Sequence, residues 1–353
     1  MDKITFLQIF SFIFFFFSII SANIDENIIK PSEKFFNFYG RYDFSDKNQI
    51  KFDYPGFAIE FSFIGSGFKI LLDDGLNDFN VIIDKKLHKI IKTKKGTQIY
   101  IGANNLKKKI HNVLITKKTE SFEKPSVFKG IILNTDSKIL NPPCRPKYKI
   151  EFIGDSITVG YGNESRSIKC KDFKNYTNNY FSYASIASRE LNAEASIIAI
   201  SGKGVVRNYG EKSEKSAKPM PYYFNKTLLT SEKPFWNFKR WKPNIVVICL
   251  GTNDFSTEPK PSKELFIKEY RKLISTIRGK YGNIKIFIMG SPTLIEPLNT
   301  YLEEISKKER IKLITQPKTP ENQLGCDWHP NVYAHQQIAS ILIKELKKYL
   351  NNI

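Results

Sequence analysis

Ile150-Glu151-Phe152-Ile153-Gly154-Asp155-Ser156-Ile157-Thr158-Val159-Gly160-Tyr161-Gly162 decides the fold: a short apolar run breaks into a glycine turn that carries a serine. This is the pattern of a buried strand feeding a nucleophile loop. A hydroxyl is a weak nucleophile at neutral pH, so Ser156 acquires chemical meaning only with a base and an oxyanion site. The chain downstream offers both. Ile197-Ile198-Ala199-Ile200-Ser201-Gly202-Lys203-Gly204 and Ile245-Val246-Val247-Ile248-Cys249-Leu250-Gly251-Thr252-Asn253-Asp254 are again apolar runs ending in glycine turns, each placing a hydrogen-bond donor at a strand's end. Cys326-Asp327-Trp328-His329-Pro330-Asn331 supplies an imidazole with a carboxylate two residues before it. The Gly-x-Ser-x-Gly elbow of the α/β-hydrolases is absent, because position 158 is threonine.

Around these runs, residues 144–353 alternate strand and helix patterns, which predicts a parallel sheet flanked by helices. The expected strands are Lys149–Ile153, Ala195–Ile200, Ile245–Leu250, Ile284–Met289 and Ile311–Ile314; the expected helices are Tyr180–Leu191, Pro261–Tyr281 and Asn331–Tyr349. In the last helix Ile338, Ile341, Leu342 and Leu346 share one face, and Asn331 can cap its start. Ligands on such sheets bind beyond the carboxyl ends of the strands, where Ser156, Gly202 and Asn253 all fall. Residues 23–143 read instead as all β. Ile59, Phe61 and Phe63 alternate with Glu60 and Ser62, and further strands are expected at Phe35–Phe44, Phe68–Leu72, Phe79–Asp84, Ile90–Thr93, Thr97–Ile101, His111–Lys117 and Phe128–Leu133. Short strands with turn signals between them suggest a β-sandwich, and Asn141-Pro142-Pro143 marks its end.

Ser156, Gly202, Asn253 and His329, in that order, resemble the four blocks of the SGNH (GDSL-type) hydrolases. A β-sandwich before such a unit resembles carbohydrate esterase family 2. Gly40-Arg41-Tyr42-Asp43, Tyr54-Pro55-Gly56 and Asn80-Val81-Ile82-Ile83-Asp84 are similar to that family's amino-terminal half; Gly160-Tyr161-Gly162, Ser201-Gly202-Lys203-Gly204 and Asp327-Trp328-His329-Pro330 are similar to its catalytic half. The resemblance implies a flavodoxin-like α/β sheet behind a jelly-roll-like sandwich. It also implies a secreted serine esterase that removes O-acetyl groups from plant cell-wall polysaccharide such as xylan or glucomannan, with no metal or organic cofactor.

On that reading His329 takes the Ser156 proton, and the amides of Ser156 and Gly202 with the Asn253 side chain bind the oxyanion. Asp327 is expected as the third catalytic residue, holding the ring and stabilising the imidazolium, with a main-chain carbonyl as the alternative. Most SGNH members place Asp three residues before the His, where this chain has Cys326; Asp327 lies two before, and some members of the narrower family use a main-chain carbonyl instead. Gly204 is the alternative to Gly202 as the amide donor. Asp254 is expected to serve local amides, and His335 to be structural. His88 and His111 are expected on the sandwich surface.

Ile4 to Ile20 is dominated by Phe and Ile, follows Lys3 and leads to Ser21 and Ala22, so residues 1–22 read as a secretory signal peptide, with an uncleaved anchor as the alternative. The net charge of +20 comes mostly from scattered Lys, without a stripe of interleaved aromatics, which argues against a nucleic-acid partner. Four cysteines in a chain of 353 residues are no disulfide framework and lack metal-ligand spacing. Cys249 falls in an apolar strand and reads as a buried thiol. Cys144, Cys170 and Cys326 fall in loops, and Cys170 with Cys326 is the preferred bridge because both flank the site. Asn163, Asn175 and Asn225 head glycosylation sequons. Trp328 and Tyr209 are candidate stacking faces for a sugar. Two other functions fit the same motifs: a secreted SGNH lipid or thioester hydrolase with an open apolar groove, and a carbohydrate-binding protein with a relic site.

Overall fold

A computed structural model describes residues 28–75, 77–293 and 295–351, so the expected signal peptide lies outside the described residues. The amino-terminal strands are β1 (Asn37–Tyr39), β2 (Ile50–Phe52), β3 (Ala58–Gly65), β4 (Phe68–Asp74) and β5 (Asp78–Ile83). They are followed by β6 (Lys86–Lys92), β7 (Gly96–Ala103), β8 (Lys109–Lys117), β9 (Ser126–Leu133) and β10 (Lys138–Leu140). One sheet runs β1-β3-β8-β5-β6 with β10 also on β3; the other runs β2-β9-β4-β7. The alternation expected at Ile59, Phe61 and Phe63 sends these side chains between the sheets, where they meet Phe36, Phe52, Phe68 and Phe128. Aromatic edges fill that space: Phe61 meets Phe68 edge-on at 5.1 Å.

Two departures have local causes. The expected strand Phe35–Phe44 shrinks to β1, because Gly40 adopts φ 99° and turns the chain out of the sheet. Strands β2 and β10 have three residues each, too few to show alternation. His111 is not a surface residue as expected. It is buried, with Nδ1 2.9 Å from Asp84 Oδ2 and Nε2 2.9 Å from the Lys107 carbonyl.

The sheet of the second unit contains β11 (Tyr148–Gly154), β12 (Ala193–Ala199), β13 (Ile245–Cys249), β14 (Lys285–Met289) and β15 (Lys312–Ile314), all parallel in the order β12-β11-β13-β14-β15. Its helices include α1 (Ser156–Val159), α2 (Tyr183–Glu190), α3 (Thr252–Phe255), α4 (Lys263–Tyr281), α5 (Leu298–Glu309) and α6 (Val332–Leu350), beside single turns at Phe173–Tyr176 and Met220–Tyr223. Helices α2 and α6 cover the face that carries Ile150, Phe152 and Val247, while α4 and α5 cover the face that carries Ile153, Val246 and Ile248. Asn331 caps α6 by accepting the amides of Tyr333 and Ala334. Helix α5 was not among the expected elements, although Leu298, Leu302 and Ile305 mark its buried stripe.

Glu151 sits in β11 on the α4 side with no exposed side-chain surface. A charge there needs partners. Arg41, carried by the turn after β1, reaches it at 3.0 Å; the Tyr281 hydroxyl donates to its other oxygen at 2.9 Å. The same guanidinium donates to the carbonyls of Phe224 and Lys226 and lies over the rings of Phe224, Trp236 and Phe238. Nearby, the buried Asp53 carboxylate of the sandwich accepts the amides of Leu229 and Thr230, each at 2.9 Å.

Replacing Arg41 with Ala strands a buried carboxylate and is expected to lower unfolding free energy by about 3–5 kcal/mol. Urea unfolding of the protein without residues 1–22 measures this, and the double variant Arg41→Met, Glu151→Leu recovers part of the loss.

Candidate active site

Strand β11 delivers Ser156 by a tight turn. Asp155 caps the single turn α1, its Oδ1 accepting the Ile157 amide at 3.0 Å, and Gly154 is needed because a Cβ there would stand 1.9 Å from Thr158 Oγ1. Ser156 Oγ lies 2.8 Å from His329 Nε2. On the other side of the ring, Nδ1 is 3.1 Å from the Cys326 carbonyl and 3.0 Å from the Asp327 carbonyl. Both are acceptors, so Nδ1 carries the proton and the lone pair of Nε2 faces the serine hydroxyl. That is the arrangement of a general base. Burial holds the imidazole below its usual basicity, opposed by the two carbonyl bonds and the charge of Asp327, so the ring is neutral at neutral pH.

The Asp327 carboxylate, expected to hold the ring, does not bond to His329, whose Nδ1 is taken by main-chain carbonyls. Asp327 and Trp328 adopt φ 50° and 59°, a left-handed bend that directs the Asp327 side chain to the Tyr161 hydroxyl, which donates to Oδ2 at 2.8 Å. Such a bend is unfavourable for residues with a Cβ, and covalent and hydrogen bonds over-determine it. Cys326 is joined to Cys170, as preferred from their placement. The Asp327 amide donates to the Ile168 carbonyl at 2.9 Å and the Gly325 amide to the His329 carbonyl at 2.7 Å. Gly162 has φ 58°, and a Cβ on it would stand 2.2 Å from Cys326 Cβ. Tyr161, quoted from sequence only within Gly160-Tyr161-Gly162 and given no role there, stacks on Phe173 at 4.5 Å and lies tilted against His329 at 4.4 Å. Its sequence signal was the pair of flanking glycines and the likeness of that triplet to the family's catalytic half.

The donors face the same strand ends. The Ser156 amide opens α1 and therefore has no intrahelical acceptor. Gly202 stands at φ 77° with open space around it, since an added Cβ would meet nothing nearer than Tyr209 Cβ at 4.0 Å. Gly204 has a different task. Its amide points to Asn208 Oδ1 at 3.4 Å, and a Cβ there would stand 2.5 Å from Asp254 Oδ2. Asp254 accepts the amides of Val205, Val206 and Arg207 at 2.7–2.9 Å, so it serves local amides as expected. Burial nevertheless pushes its carboxyl up to about 6. The Asn253 amide group has two hydrogens. One goes to the Lys203 carbonyl at 2.9 Å; the other meets Asp155 Oδ2 only at 3.4 Å, long enough to be redirected to an oxyanion.

Trp328 and Tyr209 are 63% and 61% exposed, free to offer ring faces. His335 lies buried on α6, accepts the Tyr183 amide at 3.1 Å and takes no part in the Ser156–His329 pair. Cys144 and Cys249 are free thiols, the latter buried as expected. Of the sequons, Asn175 is exposed, Asn225 is half-buried, and Asn163 is closed to modification: it is 1% exposed and bonded to Asn178.

Phosphonylation of Ser156 by a fluorophosphonate is expected to fall as pH drops through a midpoint below 6.5, because the protonated ring can no longer accept the serine proton. Asp327→Asn keeps the carbonyl that holds Nδ1, so its labelling rate should stay within about threefold of the parent, whereas loss of a triad carboxylate costs about 10⁴-fold. Rates measured from pH 4 to 8, about the histidine range, check both.

The model described as carbohydrate esterase 2 N-terminal matches residues 38–143, and that of the GDSL-like lipase/acylhydrolase family matches residues 152–337. Cellulase/esterase CelE of Acetivibrio thermocellus is 33% identical over 88% of this chain, which spans 39% of that protein's length. An acetylxylan esterase / glucomannan deacetylase of Cellvibrio japonicus is 30% identical, the match covering 84% of this chain and 85% of that protein. A family two carbohydrate esterase from Clostridium thermocellum, solved in complex with cellohexaose, superposes with a TM-score of 0.85 at 32% identity, covering 90% of this chain and all of that one. One relationship thus runs through both the sandwich and the parallel-sheet unit, and the chain belongs to the family 2 carbohydrate esterases.

Proposed function

We propose that this protein removes O-acetyl groups from plant cell-wall polysaccharide, xylan or glucomannan, through an acyl-enzyme on Ser156. The observation that carries the proposal is the 2.8 Å contact of Ser156 Oγ with a His329 whose tautomer is set by two main-chain carbonyls. Names of relatives that act on acetylated xylan and glucomannan support the substrate.

In this reading His329 Nε2 takes the proton as Ser156 Oγ attacks the acetyl carbonyl. The imidazolium that forms is stabilised by its bonds to two main-chain carbonyls, with the Asp327 carboxylate contributing only its charge through space and no hydrogen bond. The amides of Ser156 and Gly202 and the side chain of Asn253 receive the negative oxygen, and such donors act because they are already aimed where charge develops. His329 then passes the proton to the departing sugar oxygen. Water, activated by the same ring, releases acetate and restores the serine. Trp328 and Tyr209 would flank the sugar, with apolar ring faces against the apolar side of a pyranose. The Cys170–Cys326 bond supports an extracellular setting, because disulfides persist in oxidising compartments.

Acetate release from acetylated xylan and acetylated glucomannan tests the proposal. The parent should release acetate from at least one polymer, and Ser156→Ala and His329→Ala should each lose about 10³-fold or more. A parent inactive on both polymers and on an aryl acetate would overturn it in favour of a binding protein with a relic site.

A further inference from the structure

We propose that Glu120, a residue of the sandwich, is a positioning residue for the oxyanion loop, so that the amino-terminal unit is a working part of the active site. The inference rests on the esterase reading above. Glu120 follows β8, is only 4% exposed, and its Oε1 accepts the amide of Ser201 at 3.1 Å. Ser201 immediately precedes Gly202, whose amide is the proposed donor to the oxyanion.

Glycine at positive φ has little of its own to stop its peptide from rotating. The Gly202 peptide is instead held from both sides. Glu120 fixes the Ser201 amide on one side, and on the other the Tyr209 amide donates to the Gly202 carbonyl at 2.9 Å. An oxyanion donor works only when it is aimed before reaction, so the strength of this clamp passes into the rate.

The segment that carries Glu120 is itself anchored at several points. The buried Lys117 ammonium donates to Asn77 Oδ1 and to the Thr119 carbonyl, and the Ser121 amide donates to the Asp53 carbonyl at 2.9 Å. The Lys118 carbonyl accepts the Asn179 amide at 2.9 Å, and Asn179 Nδ2 donates to the carbonyls of Thr158 and Val159 in the nucleophile turn α1. Lys118 Nζ pairs with Glu164 at 3.1 Å, two residues beyond Gly162. Residues 117–121 therefore link the sandwich to the nucleophile turn and the Gly202 loop at once. A carboxylate buried against the Ser201 amide, where the sandwich meets that loop, fits an aiming device.

The test compares Glu120→Ala and Glu120→Gln with the parent on an acetylated polymer. Alanine removes the acceptor, and kcat should fall about 10-fold to 100-fold with KM within about twofold, the penalty of a misplaced reacting group. Glutamine keeps a carbonyl acceptor at the same reach and should recover most of kcat. The acid-limb midpoint, which belongs to His329, should not move in either variant. Should the alanine variant not fold, Glu120→Asp draws the acceptor back by one methylene and is expected to lower kcat, again without raising KM. Full kcat in the alanine or aspartate variant, a loss in KM alone, or a glutamine variant as impaired as alanine would overturn the inference while leaving the esterase standing. An inactive parent would overturn the esterase reading itself.

Discussion

A carboxylate inside a parallel sheet is the constraint on which the arrangement of this protein depends. Glu151 lies between Ile150 and Phe152, which face the opposite helical layer, so its side chain points into the layer built by α4 and the loops beside it. A lone charge there would cost several kcal/mol. Tyr281 and Ser196 satisfy part of its hydrogen-bonding capacity, but among the described residues only Arg41 forms an ion pair with it. Arg41 belongs to the sandwich. Its Nη1 donates to the carbonyls of Phe224 and Lys226, and the guanidinium lies over three aromatic rings. A buried ion pair adds little net stability; what it imposes is a penalty on any arrangement that separates the charges. The two units are therefore held in one relative placement, and that placement brings residues 117–121 to the rim of the site.

The site itself is governed by a histidine that needs a fixed tautomer without a carboxylate. Two carbonyls on one short turn supply the acceptors, and the turn is held by the Cys170–Cys326 disulfide and by the close packing of Gly162 and Gly325, where an added Cβ would stand 2.2 Å from Cys326 Cβ and 2.5 Å from the Gly162 carbonyl oxygen respectively. Carbonyl dipoles stabilise an imidazolium less than a full charge would. Burial lowers the ring's basicity in the same direction, so the base is kept neutral and ready at neutral pH. Tyr161 completes the support, with its ring against the imidazole and its hydroxyl on the carboxylate that the bend turns away.

Legibility in the sequence followed the range of the interaction. The five parallel strands, helices α4 and α6, the Asn331 cap and the inward Phe face of β3 were all readable, because periodicity and capping are local. Strands β2 and β10 were too short to carry a period. His111 was misread because nothing near it in sequence announces Asp84, 27 positions away. The choice between Gly202 and Gly204 could not be made from spacing. It turns on which glycine packs under Asp254, a contact made from another strand's end.

The sequence by itself determined the chemical inventory: a serine after a strand, a histidine near the end, an asparagine and a glycine between them, and two cysteines placed to bridge. It determined the order of the two units as well, since alternation of period two and alternation of strand with helix are written into the chain. Only the tertiary structure decided which acceptor faces His329 Nδ1, because a main-chain carbonyl has no signature in sequence and its direction is set by φ and ψ. Only the tertiary structure, too, brought Glu120 to Ser201 across 81 positions. That contact depends on how one folded unit lies on another, which side-chain pattern along either unit does not encode.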